Sequence, residues 1–168
     1  MKRNVFGFSG YSGSGKTTLI EQLIPRFVEA GLKVALIKHA HHDFDIDKPG
    51  KDSHRHREAG AIEVLITSDR RWALMHELRG GPEPGLEQQL ERLSPCDLVL
   101  VEGYKRAAIP KLEIYRAAHG QSPLHPEDSN IVAVAADGPV ETPLPVLDLN
   151  QPTRIAEFII GYLNLVPR

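Results

Sequence analysis

The feature that most constrains this chain is a strand, a glycine-rich loop and a helix in immediate succession. Val5 to Ser9 is a short apolar run, and Gly10-Tyr11-Ser12-Gly13-Ser14-Gly15-Lys16-Thr17 follows it directly. From Thr17 to Ala30, Leu19, Ile20, Leu23, Ile24, Phe27 and Val28 recur at helical spacing, and Gly31 supplies a natural stop. The loop matches G-x-x-x-x-G-K-[ST] in full and in the required context. Glycines let the backbone approach a ligand closely, so a nest of N–H groups at the helix N-terminus meets phosphate oxygens. Gly10, Ser12, Gly13, Ser14, Gly15, Lys16, Thr17 and Thr18 are therefore the expected phosphate-binding residues. Lys16 is placed for the β- and γ-phosphates, the Thr17 hydroxyl for Mg²⁺ and Thr18 for the α-phosphate.

The rest of the chain fits this start. Val34 to Lys38 is a second buried strand, so the unit predicts parallel pairing through a right-handed crossover. A polar segment from His39 to Lys51 leads to a short helix ending at Ala59, capped by Asp52 or Ser53. Ile62 to Thr67 and Arg71 to Leu78, separated by Ser68-Asp69-Arg70, predict an antiparallel hairpin. Leu86 to Leu93 is a short helix, and Asp97 to Glu102, Lys111 to Tyr115 and Ile131 to Ala136 are further strands. A polar stretch from Ala117 to Ser129, rich in Pro and His, is expected to be a mobile surface loop, and Thr153 to Leu163 a final helix. The expected fold is an α/β, three-layer P-loop NTPase with a mainly parallel sheet plus an antiparallel hairpin extension. With 168 residues and no visible boundary, residues 1–168 read as a single P-loop domain.

A net charge of -2 argues against a global basic field for nucleic acid or anionic membrane. Cys96 is the single cysteine, so no disulfide forms within the chain. Gly7, Ser9 and Gly10 interrupt the apolar run that a secretory signal would need, and no stretch approaches the length of a membrane span. The expected location is cytoplasmic.

Parallel strands bring their C-terminal ends to one edge, where the phosphate loop also lies. The strand from Asp97 to Glu102 has an acid at each end, roughly 16 Å apart at ~3.3 Å per residue. Glu102 is thus the candidate partner of Mg²⁺, and Asp97 a solvated strand start. By the same argument Asp137, just beyond the strand Ile131 to Ala136, can accept from N1–H and the 2-amino group of guanine. A turn-forming Asp-Gly pair explains Asp137 equally well, and no N-K-x-D guanine motif is present.

The segment His39-Ala40-His41-His42-Asp43-Phe44-Asp45-Ile46-Asp47 has two readings. It is either a transition-metal site or a polar switch-like loop near the γ-phosphate. In the second, one of Asp43, Asp45, Asp47 or Asp52 orients the attacking water, with Asp47 and Asp52 taken as the catalytic candidates. Arg55 and Arg57 either face an anion or form a solvated helix face. In the hairpin, Trp72, Leu74 and Met75 look exposed, as a dimer or partner surface would be; Trp72 filling the core is the alternative.

Taken together, these residues resemble the molybdopterin-guanine dinucleotide biosynthesis protein B (MobB) family. The resemblance runs through Gly10–Thr18, Ile37–Asp47 (I-K-H-A-H-H-D-F-D-I-D), Lys48–Ser53 (K-P-G-K-D-S) and Arg71–Leu74 (R-W-A-L). It continues through Leu98–Lys105 (L-V-L-V-E-G-Y-K), Ile109–Lys111 and Val132–Asp137, covering nearly the whole chain. Tyr104 stands where the family more often has Phe. The resemblance implies a homodimeric GTP-binding protein with weak Mg²⁺-dependent GTPase activity. It implies a role as adapter to the MobA-type molybdopterin guanylyltransferase in molybdenum cofactor biosynthesis. It also favours Asp137 as guanine reader and Thr17 and Glu102 as Mg²⁺ partners. A nickel- or metal-delivery GTPase and a small-molecule kinase are the alternatives.

Overall fold

The structure, a computed structural model, describes residues 3–40 and 44–168. It divides into two compact units, Met1–His39 with Leu86–Arg168, and Ala40–Gly85.

The first unit is built on six strands: β1 (Val5–Ser9), β2 (Val34–Lys38), β5 (Leu98–Glu102), β6 (Lys111–Tyr115), β7 (Ile131–Ala136) and β8 (Val146–Asp148). Their order is β2-β5-β1-β6-β7-β8, and every neighbouring pair is parallel. β8 was not foreseen: three residues after a Pro-rich stretch carry too little alternation to register as a strand. Helices α1 (Lys16–Glu29) and α4 (Pro152–Tyr162) pack together on one face, and Leu86–Glu91 forms α3. Leu19, Ile20, Leu23 and Phe27 of α1 and Ile155 and Ile159 of α4 bury against Phe6, Phe8, Leu98, Leu100, Leu112 and Ile114. Removing this apolar surface from water, at roughly 25 cal/mol per Å², is the main force holding the unit together.

The opposite face of the sheet is chemically different. Strand alternation turns Lys111 and Glu113 away from Leu112 and Ile114, yet both charges are almost fully buried. Lys111 pairs with Asp128 at 2.6 Å and donates to the carbonyl of Lys105 at 2.8 Å. Glu113 accepts from the backbone N–H groups of Leu124 and His125 at 2.6 and 2.9 Å, and its Oε2 lies 2.9 Å from His125 Nδ1. These bonds correct the expectation for Ala117 to Ser129: the segment is fastened to β6, and Ala117–His119 forms a 3₁₀ turn. Buried carboxylates need such partners, and the loop's backbone supplies them.

The second unit contains α2 (Asp52–Glu58) and the antiparallel pair β3 (Glu63–Thr67) and β4 (Trp72–His76). Lys51, not Asp52 or Ser53, is the cap residue of α2 and makes no side-chain cap bond; Asp52 sits in the first turn, where its charge suits the helix dipole. Arg57 gathers Asp45 at 2.8 Å, Asp47 at 2.9 Å and Glu77 at 3.2 Å. Its anions are thus carboxylates of its own chain. The bond to Asp47 does most to raise the guanidinium's pKa, outweighing the desolvation that lowers it. Trp72 is 63% exposed, which rejects the core alternative, whereas Met75 is buried and not exposed as its sequence context implied.

Candidate functional site

The phosphate loop leaves the C-terminal end of β1, the strand at the centre of the sheet, and enters α1. Gly15 is the N-cap of α1 with φ 96°, a left-handed conformation that costs glycine little and other residues much. Ser14 is buried, and its Oγ has no hydrogen-bond partner among the described residues. Lys16 Nζ donates to the carbonyls of Gly10 and Tyr11 at 2.9 and 2.8 Å, which folds the ammonium back over the loop. Partial burial lowers the pKa of Lys16, and the nearby carboxylate of Glu102 opposes that shift. Ser12, Gly13, Thr17 and Thr18 remain exposed.

Register explains which acid reaches the loop. Glu102 pairs with Phe8 on one side and Lys38 on the other, at the C-terminal edge of β5. The Thr17 hydroxyl donates to Glu102 Oε1 at 2.8 Å, and Lys38 Nζ lies 3.6 Å from Oε2. Gly103 turns with φ 96°, and a side chain there would stand 2.9 Å from the carbonyl oxygen of His39. Mg²⁺ takes hard oxygen ligands and keeps several waters. A hydroxyl and a carboxylate already within one hydrogen bond fit that requirement. Asp97 lies at the other end of the strand, where it accepts from the Lys33 N–H at 2.7 Å and from Arg168 at 3.1 Å. It is a tie between segments and not the solvated strand start expected of it.

On the other side of β1, the ends of β6 and β7 bring Arg116 and Asp137 together. Arg116 Nη1 donates to Asp137 Oδ2 at 2.6 Å, and its Nε to the Ser14 carbonyl at 3.0 Å. Arg116 belongs to no sequence motif, yet it follows the C-terminal end of β6 just as Asp137 follows that of β7. Asp47 and Asp52 belong to the second unit. Asp47 is buried with Oδ1 on Arg57 and Oδ2 without a partner among the described residues, and Asp52 is exposed. His41, His42 and Asp43, which carry much of the transition-metal reading, lie outside the described residues.

Known proteins share both sequence and shape with this chain. Residues 5–137 match the family model of MobB, molybdopterin guanine dinucleotide synthesis protein B. The molybdopterin-guanine dinucleotide biosynthesis adapter protein of Haemophilus influenzae is 44% identical over 164 residues, spanning 95% of this chain and 89% of the relative. The protein of the same name in Escherichia coli is 40% identical over 163 residues, spanning 95% and 93%. The crystal structure of a MobB homolog from Bacillus stearothermophilus superposes with a TM-score of 0.71 at 28% identity, covering 96% of this chain and 98% of that one. With most of its length matched by the family model and by both relatives, the chain belongs to the MobB family.

Proposed function

We propose that this protein is a Mg²⁺-GTP-binding adapter in the synthesis of molybdopterin guanine dinucleotide. Family membership carries the adapter role, since both curated relatives bear that description, and favours it over metal delivery or a small-molecule kinase. The observation that carries the nucleotide chemistry is the 2.8 Å contact between the Thr17 hydroxyl and Glu102 beside a complete phosphate loop. Bound Mg²⁺ would neutralise charge on the β- and γ-phosphates. Backbone N–H groups from Gly13 to Thr18 cradle the phosphates. Lys16 leaves its two carbonyl partners to meet them. Asp137 reads guanine, in keeping with the guanine of the family's product.

Hydrolysis is weak in this reading, as the family resemblance implies. Of the two catalytic candidates, Asp47 is the stronger, as its buried Oδ2 has no partner among the described residues; Asp52 is solvated. The exposed apolar face of the hairpin, with Leu65, Trp72 and Leu74, supports a homodimer. The adapter's partner is the MobA-type guanylyltransferase. Among the described residues no helix is long and apolar enough to cross a membrane, and we place the protein in the cytoplasm.

Calorimetry with GTP and ATP, with and without Mg²⁺, tests the reading. GTP should bind more tightly than ATP, and Lys16→Ala should abolish binding of both. Glu102→Gln should cut the gain in affinity on adding Mg²⁺ by roughly ten-fold, the scale set by about 1.4 kcal/mol. Unchanged GTP affinity in Lys16→Ala would reject the site.

A further inference from the structure

We propose that Arg116 couples the phosphate end of the nucleotide site to base selection, by trading its contact with Asp137 for one with a nucleotide phosphate. The inference rests on the GTP-binding reading above and adds a residue and a coupling to it.

Residue register makes the pair. Tyr115 of β6 stands opposite Ala136 of β7, so Arg116 and Asp137 leave the sheet side by side. The guanidinium then bridges two functional elements. Its Nη1 is 2.6 Å from Asp137 Oδ2, its Nε is 3.0 Å from the Ser14 carbonyl, and its Nη2 lies 3.4 Å from where a side chain on Gly15 would begin. One cation touches both the phosphate loop and the candidate base reader. With its side chain 34% exposed, it is also open to a ligand.

Arg116 lines a cleft of about 200 Å³ with Gly15, Thr18, Leu19, Gln22, Leu149 and Asn150. Such a volume is below the ~300–1,000 Å³ of sites that enclose a whole drug-sized ligand, and suits one moiety of a nucleotide. Gly15 and Thr18 belong to the α-phosphate end of the loop, whereas Thr17 and Glu102 mark the metal end. The cleft therefore leaves the loop on the nucleoside side.

The arrangement has a consequence for recognition. A carboxylate that reads N1–H and the 2-amino group of guanine uses both oxygens, and Oδ2 of Asp137 is occupied by Arg116. A phosphate beside Ser14 offers the guanidinium a partner of higher charge and bidentate geometry. Once Arg116 turns to it, both oxygens of Asp137 face the base. Phosphate binding and guanine readout then reinforce each other, and by linkage the effect is equal in both directions.

Arg116→Gln, Arg116→Lys and Asp137→Asn test this on the full chain, with affinities for GTP, GDP, guanosine and ATP measured by calorimetry or competition. Arg116→Gln should weaken GTP and GDP ten-fold or more, while guanosine holds or gains affinity because Asp137 is released. Arg116→Lys should recover part of the loss, and Asp137→Asn should erase the preference for GTP over ATP. Unchanged GTP and GDP affinities in Arg116→Gln overturn the proposal, as does a loss of guanosine affinity in step with GDP. Should Arg116→Gln fail to fold, full GTP affinity in Arg116→Lys together with unaltered base preference in Asp137→Asn overturns it. A wild-type chain that binds no GTP removes the nucleotide reading itself, and this inference with it.

Discussion

The parallel sheet and the hairpin are both rich in Val, Leu and Ile, and they treat those side chains in opposite ways. In β5, Leu98 to Val101 are at most 1% exposed, whereas Leu65, Trp72 and Leu74 of the hairpin are 61%, 63% and 48% exposed. Parallel strands require long crossovers that return chain over the sheet, so both faces become covered. A hairpin closes locally and can present one face to solvent. Here Leu65 pairs with Leu74 and Thr67 with Trp72 on the exposed face, while Val64 and Met75 form a pair on the other. Burial in the sheet serves the stability of the chain and the placement of Glu102, Arg116 and Asp137. Apolar exposure on the hairpin has no partner among the described residues, which is why it carries the proposed association.

The comparison predicts unequal costs. Phe6→Ala, at 0% exposure beneath α1 and α4, should destabilise the chain by about 3–5 kcal/mol in urea unfolding. Leu65→Ala in the same assay should cost less than about 1 kcal/mol; equal losses would erase the distinction between the two sheets. Glu113→Ala should cost about 3 kcal/mol, because it strands the N–H groups of Leu124 and His125 on the charged face. Proteolysis within residues 117–130 should accelerate in that variant, and an unchanged cleavage pattern would show that the carboxylate is not what holds the segment.

A smaller effect is expected at Asp128. Desolvation raises its pKa, but hydrogen bonds from Lys111 and Asn130 outweigh it and leave the carboxyl below its ordinary value. A folded pKa below the unfolded one adds stability above the unfolded pKa, and that stability is lost as pH falls through the folded value. Asp128→Asn should therefore flatten the acid limb of the stability profile; an unchanged limb would place the acid sensitivity elsewhere. Last, Trp72→Ala should shift unfolding of the isolated chain by no more than about 0.5 kcal/mol. The same variant should lower self-association measured by sedimentation, and unaltered association would remove the hairpin from the proposed dimer interface.

Much of this was legible in the residues. The loop from Gly10 to Thr17 and the strand and helix around it read correctly, because each signal is local and each residue type has a stereochemical reason. The hairpin read correctly too, since two β-rich runs joined by three polar residues leave the backbone few other pairings. Legibility failed where one part of the chain completes another. Polar residues from Ala117 to Ser129 look loop-like and solvated, and only the approach of Glu113 fastens them. Arg116 carried no motif of its own, and its importance appears only when β6 and β7 pair.

By itself, then, the sequence determined the strand, glycine-rich loop and helix, and the edge of the sheet at which Glu102, and not Asp97, stands beside that loop. Those conclusions follow from backbone periods and strand direction, which neighbouring residues set. Tertiary structure decided that β5 lies between β1 and β2, which brings Glu102 to Thr17 from 85 residues away. It also placed Arg116 between Ser14 and Asp137 and left Trp72 in solvent. Such outcomes depend on which distant segments bury their apolar surface together, and no local pattern of residues contains that information.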